Sequence, residues 1–242
     1  MKLQQAVYWA ITNRVHIISM SWSIEGAEEQ RDIQEFKKAI EDARRANITV
    51  FCAFSDQGYN SSEKTFPGAW RSECITIGAA TAMGDASTLV DKNRVDFLFP
   101  GEQIVIDSRD PEPSVTSSPP IAENGSSIST ALAAGTAALL LFVTLLVNPA
   151  FYQKLREPER MKRAFKEFCP ETNPKYFKAQ DYFDKKFESD PNWNWEINGK
   201  QEVSILVNSL WVSIFRLILI LYFLLTLIPR RMTRSEKSSV LS

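Results

Sequence analysis

The stretch Asn124 to Val147, NGSSISTALAAGTAALLLFVTLLV, decides the fold of this chain. Its Asn-Gly pair and the two serines that follow favour a tight turn, and residues 128–147 carry no charge. The pattern predicts a loop that leads directly into a very apolar helix. The first half of this helix is rich in small and hydroxyl-bearing residues, which favours a buried core helix over a membrane span.

Ser127 lies in the first turn of the predicted helix. Backbone N–H groups in the first turn have no partner within the helix, and the helix dipole there stabilises developing negative charge. A serine at this position is well placed to act as a nucleophile. A plain buried helix without any catalytic role fits the same pattern, so the interpretation depends on other segments.

Residues 125–135, GSSISTALAAG, resemble the serine motif of the subtilisin-like proteases, Gly-Thr-Ser-Met-Ala-x-Pro-His-Val-Ala-Gly. The resemblance places Ser127 at the nucleophile, whereas Ser126 replaces the threonine and Ala131-Leu132 replace the Pro-His pair. It implies an incomplete α/β domain with three layers around a parallel sheet. It also implies a serine-type endopeptidase that hydrolyses peptide bonds in peptide or protein substrates.

Two predicted strands precede the motif in the order that the family has. Residues 15–21, VHIISMS, and residues 48–54, ITVFCAF, are β-rich, and the second run is apolar without alternation, as in a parallel strand covered on both faces. The amphipathic stretch 32–46 between them predicts a helix, and strand, helix, strand implies a right-handed crossover.

The ends of these strands supply the candidate substrate-binding residues. Parallel strands deliver the loops that follow them to the carboxyl edge of the sheet, where ligands bind. In the subtilisin-like family one such segment pairs with the substrate backbone as an added strand. The resemblance assigns a role in the substrate groove to two segments: Ser21, Trp22 and Ser23, and Ala53, Phe54 and Ser55. An ordinary strand end is an equally good interpretation of the first segment.

Asp56 occupies the position where the family has an asparagine whose amide donates a hydrogen bond to the oxyanion. An ionised carboxylate would repel that oxyanion, and the loss of one proper donor costs about 100- to 1,000-fold in turnover. Asp56 could donate only when protonated, which desolvation favours. One branch of the family, a proprotein convertase, also has aspartate there. A solvated loop aspartate is the alternative.

Two further segments continue the family order. Phe66-Pro67 corresponds to an x-Pro bond that is cis in the family. Residues 95–101, VDFLFPG, resemble its next strand, and a Ser-, Pro- and Asp-rich linker at 108–120 then leads into the serine motif. The resemblance covers about residues 3–148, the second half of the catalytic domain.

The base and the orienting acid that a serine nucleophile needs are not found in the sequence. In the family they come from Asp-Thr/Ser-Gly and His-Gly-Thr motifs, which this chain lacks. His16, its only histidine, lies within the first strand pattern, and we interpret it as structural. The chain is therefore either a piece of a longer protease or an inactive protease-like binding module. A small membrane protein with an unrelated α/β domain is a third alternative.

Composition excludes several function classes. With 242 residues and a net charge of −1, the chain shows no basic stripe for a nucleic acid partner. Three widely spaced cysteines predict neither a disulfide framework nor a zinc site, and the first residues lack the apolar core of a signal peptide. We predict no metal and no cofactor.

We predict four segments along the chain. They are the partial peptidase domain (1–148), a charged and aromatic helical extension (149–202), a C-terminal hydrophobic helix (203–229) and a basic disordered tail (230–242). Residues 203–228 suit a single membrane span, in which Arg216 costs about 2.5 to 3.5 kcal/mol. The alternatives are an interfacial helix and a non-native tail produced by translation past a gene boundary. We predict either a single-pass membrane protein or a cytoplasmic one.

Overall fold

The computed structural model describes residues 3–58, 64–105 and 122–179. The elements follow one another as α1 (Leu3–Thr12), β1 (Ile17–Met20), β2 (Ile24–Glu25), α2 (Arg31–Arg45), β3 (Thr49–Ala53), β4 (Thr65–Phe66), β5 (Ile75–Ala80), β6 (Phe97–Pro100), β7 (Ile104–Val105), β8 (Ala122–Glu123), α3 (Ser126–Val147), α4 (Pro149–Leu155) and α5 (Pro158–Lys166).

A four-stranded parallel sheet in the order β1-β3-β5-β6 forms the centre of the fold. Every residue of β3 and β5 is buried, because helices cover both faces of the sheet. This explains why residues 48–54 show no alternation of polar and apolar side chains. Two short antiparallel pairs, β2 with β4 and β7 with β8, lie outside the main sheet.

Helices pack on both faces of the sheet, so the predicted three-layer α/β architecture is confirmed. On one face α2 packs against β3, whose Val50 and Cys52 belong to the core there, and α1 packs against α2. On the other face α3 and α5 pack against β3, whose Phe51 belongs to that core, and α4 packs against both helices. The crossover from β1 through α2 to β3 is the predicted strand–helix–strand unit.

The uncharged helix α3 lies across the sheet and contacts β1, β3, β5 and β6. Ala133, Ala137 and Leu140 are fully buried, and the small side chains allow the helix to approach the strands closely. Among the described residues one helix, residues 126–146, is long and apolar enough to cross a membrane, with a mean hydropathy of 2.0. Half of that stretch is buried inside the domain, which is typical of a core helix.

The segment after α3 packs into the same core. Phe165 of α5 is completely buried and its ring lies 5.4 to 5.7 Å from those of Phe51, Phe97 and Phe99. The backbone that follows covers the outer edge of β6, where Leu98 N–H donates to the carbonyl of Lys175 at 2.8 Å. In the described part of the chain the core between α3 and the sheet thus continues into α4 and α5, and the boundary at residue 148 stays a prediction.

Two other predictions concern the backbone and the chain end. The Phe66–Pro67 peptide bond is cis, as the resemblance implied. The hydrophobic helix at 203–229, the basic tail at 230–242 and the end of the extension lie outside the described residues.

His16 lies before the first residue of β1, where the Tyr152 hydroxyl is within 3.1 to 3.2 Å of its ring nitrogens. Burial and the neighbouring positive charge of Arg156 lower the pKa of His16 below its ordinary 6.5. We expect the ring to be neutral at pH 7, because both effects disfavour the imidazolium. Because the chain has one histidine, a single pair of ring resonances reports the titration by NMR. Arg156→Gln should raise the midpoint of this titration. A midpoint above 6.5 in the parent chain would contradict the lowered pKa of His16.

Candidate active site

Three segments meet at the carboxyl edge of the sheet. Ser21 follows β1, Asp56 follows β3, and Ser127 lies in the first turn of α3. The three residues are separated by 35 to 106 positions in sequence, yet hydrogen bonds join their segments directly. The parallel topology is the reason, since the ends of β1 and β3 lie side by side and α3 starts above them.

Ser127 is solvent-exposed and forms a reciprocal pair with Ser21. The Ser127 hydroxyl donates to the backbone carbonyl of Ser21 at 2.8 Å, and the Ser21 hydroxyl donates to the backbone carbonyl of Ser127 at 2.9 Å. Within the described ranges, no histidine, carboxylate or lysine lies within hydrogen-bonding distance of the Ser127 hydroxyl. The hydroxyl is therefore accessible but has no general base in these parts of the chain.

The Asp56 carboxylate contacts the residue before the candidate nucleophile. One oxygen, Oδ2, accepts the backbone N–H of Ser126 at 2.8 Å, and the other, Oδ1, accepts the Ser126 hydroxyl at 2.6 Å. Ser126 is fully buried, and its hydroxyl oxygen also accepts the N–H of Ala79 at 3.0 Å. In this arrangement Asp56 is a hydrogen-bond acceptor for two donors of one residue.

Two glycines allow the segments to approach so closely. Gly125, which precedes α3, has φ 138°, and a Cβ there would lie 3.2 Å from Asp56 Oδ2. A Cβ at Gly101, after β6, would collide with Ser129 Oγ and lie 2.7 Å from the Cβ of Ala79. The N–H of Gly125 donates to the carbonyl of Gly101 at 2.8 Å, which attaches the start of α3 to the end of β6. Close packing thus explains Gly125 of the serine motif and Gly101 of residues 95–101, whereas a Cβ at Gly135 would meet no atom within 4 Å.

The predicted groove residues differ in accessibility. Trp22 is 40% exposed and stacks on Phe36 with ring centroids 5.9 Å apart, and Ser23 is exposed. Ser55 is half-buried. Ala53 and Phe54 are buried, and the Phe54 N–H donates to the carbonyl of Ile77 at 2.8 Å. Phe54 packs in the core, so its side chain does not line an open groove.

His16 lies at the opposite end of β1 from Ser21. A five-residue separation along a strand corresponds to about 16 Å, which is too far for a contact with Ser127. The structure therefore supports the interpretation of His16 as a structural residue.

Sequence reasoning did not identify Ser126 as part of the site. Its position in the motif could have indicated a role, because Ser126 replaces the threonine that precedes the nucleophile in the family. Like that threonine, Ser126 has a hydroxyl that can both donate and accept a hydrogen bond. Its partners, Asp56 and the N–H of Ala79, could not be identified from sequence spacing, since they lie 70 and 47 residues away.

The fold and the position of Ser127 define a class of protein. The profile of the subtilase family, Peptidase_S8, matches residues 1–152. The chain therefore belongs to the subtilase family, and the predicted kinship with subtilisin-like serine proteases is confirmed.

Particular relatives agree with this assignment. The intracellular serine protease of Paenibacillus polymyxa is 32% identical over 170 residues, which are 69% of this chain and 47% of the relative. The major intracellular serine protease of Bacillus subtilis (strain 168) is 29% identical over 103 residues, 41% of this chain and 30% of the relative. The chain thus spans less than half the length of these relatives.

Solved structures show the same fold. The prenylagaramide maturation protease PagA superimposes with a TM-score of 0.55 at 21% identity, over 72% of this chain and 58% of PagA. At this level of identity the similarity concerns the fold alone.

Proposed function

We propose that this chain carries the nucleophile-bearing half of a subtilisin-like serine endopeptidase, in which Ser127 attacks the scissile carbonyl of a peptide substrate. The observation that carries the proposal is the exposed Ser127 hydroxyl, held at the start of α3 beside the end of β1. A base that removes its proton would free the hydroxyl from the Ser21 carbonyl. Ser21, Trp22 and Ser23 would then bind substrate, as would the backbone of Ala53, Phe54 and Ser55.

We infer that the base and the orienting acid come from polypeptide outside this chain, the missing N-terminal half of the catalytic domain. Within the described ranges β1 pairs with β3 on one side only, whereas the chain itself covers the outer edge of β6. Three large apolar side chains of α3, Leu132, Phe142 and Leu146, are 43 to 64% exposed. An open strand edge beside an apolar helix face is suited to binding further polypeptide.

A catalytically inactive binding module is the second candidate function. The observation behind it is that, in the part of the chain that the structure describes, the Ser127 hydroxyl contacts the Ser21 carbonyl and no general base. Such a module would hold peptides near Ser21 to Ser23 without cleaving them.

We propose a cytoplasmic location, because two relatives bear the name of intracellular proteases. A membrane span at residues 203–228 stays a prediction that falls outside the described residues.

A fluorophosphonate probe tests the proposed function. We expect no labelling of the chain alone, and covalent labelling of Ser127 when the chain is extended by the upstream coding sequence containing the Asp and His motifs. If that sequence lacks the motifs, the part of the Paenibacillus polymyxa relative that this chain does not match, fused in frame, replaces it. Labelling only in the extended polypeptide supports the peptidase. A folded extended polypeptide that does not label would favour the binding module.

A further inference from the structure

Asp56 and Ser126 are joined by hydrogen bonds that the proposed attack of Ser127 on a peptide carbonyl does not itself require. The carboxylate accepts both donors of Ser126, the N–H at 2.8 Å and the hydroxyl at 2.6 Å. Hydrogen bonds to an ionised acceptor are about twice as strong as neutral ones, and one residue that offers two donors to two oxygens also fixes their relative orientation. Asp56 thus determines the position of Ser126 in both distance and direction.

Ser126 also forms hydrogen bonds with two other parts of the fold. Its hydroxyl oxygen accepts the Ala79 N–H from β5 at 3.0 Å, and its carbonyl accepts the Thr130 hydroxyl from the next turn of α3 at 2.7 Å. The loop after β3, strand β5 and helix α3 therefore meet at one buried side chain. Because Ser127 is covalently joined to Ser126, any movement of Ser126 would also move the candidate nucleophile.

The hydrogen bonds of the first turn show which donor remains for a substrate. The N–H of Ser126 is bound by Asp56, and the N–H groups of Ile128 and Ser129 are directed to the carbonyl of Gly125. Within the described ranges the N–H of Ser127 has no acceptor. The Asp56 carboxylate therefore positions this turn. The backbone N–H of Ser127 remains available to donate to a developing oxyanion.

We propose that Asp56 is a positioning residue that acts on Ser127 through Ser126, and that its side chain is not the oxyanion donor. The proposal rests on the proposed peptidase function and deepens it. It differs from the role predicted by family position, in which a protonated Asp56 donates to the oxyanion.

The two roles predict opposite results for Asp56→Asn. Asparagine replaces one of the two acceptor oxygens with an NH2 group that can only donate, so the N–H and the hydroxyl of Ser126 can no longer be accepted by two separate oxygens. The positioning role therefore predicts slower reaction at Ser127. The oxyanion role predicts faster reaction, since the amide restores a donor whose absence costs about 100- to 1,000-fold.

A double-mutant cycle in the extended polypeptide tests the positioning role. We expect Asp56→Asn and Ser126→Ala each to lower the rate constant of fluorophosphonate labelling by about ten-fold or more. The double variant should be no slower than the slower single variant, because both changes break one contact. Ser126→Thr keeps both donors and should label at a rate close to the parent. Asp42→Asn, which alters a surface ion pair with Arg45, is the matched control and should have no effect.

Hydrogen exchange supplies a readout that does not depend on catalysis. Asp56→Asn should increase the exchange rate of the residue-126 amide by about ten-fold, whereas Asp42→Asn should not. Faster labelling of Asp56→Asn, multiplicative effects in the double variant or an unchanged residue-126 amide would each overturn the proposal. If no form labels, the peptidase function fails, and the exchange rates still decide whether Asp56 holds Ser126.

Discussion

Replacing Ser127 with alanine is expected to abolish covalent labelling in the extended polypeptide and to lower peptide hydrolysis by about a million-fold. The change removes one exposed hydroxyl, whose only described contact is the Ser21 carbonyl at 2.8 Å, so the fold should be retained. Circular dichroism and the unfolding midpoint check the fold, while mass spectrometry of the labelled protein locates the modified residue.

Thr136→Ala is the matched control for this experiment. Thr136 lies on the same helix, and its hydroxyl donates to the carbonyl of Leu132 at 2.8 Å, within α3 itself. The control should label and hydrolyse at the rate of the parent. Labelling that persists in Ser127→Ala would place the reactive residue elsewhere and contradict the assignment of the nucleophile.

Replacing Phe165 with alanine is expected to destabilise the described domain by about 3 to 5 kcal/mol. Phe165 is fully buried, and its ring contacts those of Phe51, Phe97, Phe99 and Phe177. The truncation leaves a cavity between α5 and the sheet that these rigid rings cannot fill. Urea unfolding followed by tryptophan fluorescence measures the change.

Phe142→Ala is the control of the same residue type. Phe142 is 54% exposed on α3, so its truncation in the chain alone should change the free energy of unfolding by less than about 1 kcal/mol. Equal destabilisation by the two changes would mean that α5 does not pack on the sheet as described.

The architecture could be predicted because the pattern of apolar and polar residues within each segment indicates its secondary structure and burial. The unbroken, β-rich apolar run at 48–54 is typical of a strand that is covered on both faces, and the amphipathic helix before it indicates that this strand lies parallel to β1. The positions of Ser21, Asp56 and Ser127 at one edge follow from that topology.

The contacts within the site could not be predicted in the same way. Sequence spacing brought Asp56 to the correct edge, but it could not show that both carboxylate oxygens accept hydrogen bonds from Ser126. Nor could it show that the Phe54 side chain packs in the core, since the residue ends a strand whose last side chains can face either layer. These details depend on the direction of each side chain, and a shift of one residue in strand register reverses that direction.

The sequence by itself determined the family, the parallel sheet and the serine at the start of the long helix, because hydrophobic period and turn residues act over a few neighbouring positions. Only the tertiary structure decided which groups each polar side chain contacts. The partners of Asp56, Ser126 and Ser127 lie 47 to 106 residues away along the chain. Packing alone brings them within hydrogen-bonding distance, so the chemistry of the site depends on the fold as a whole.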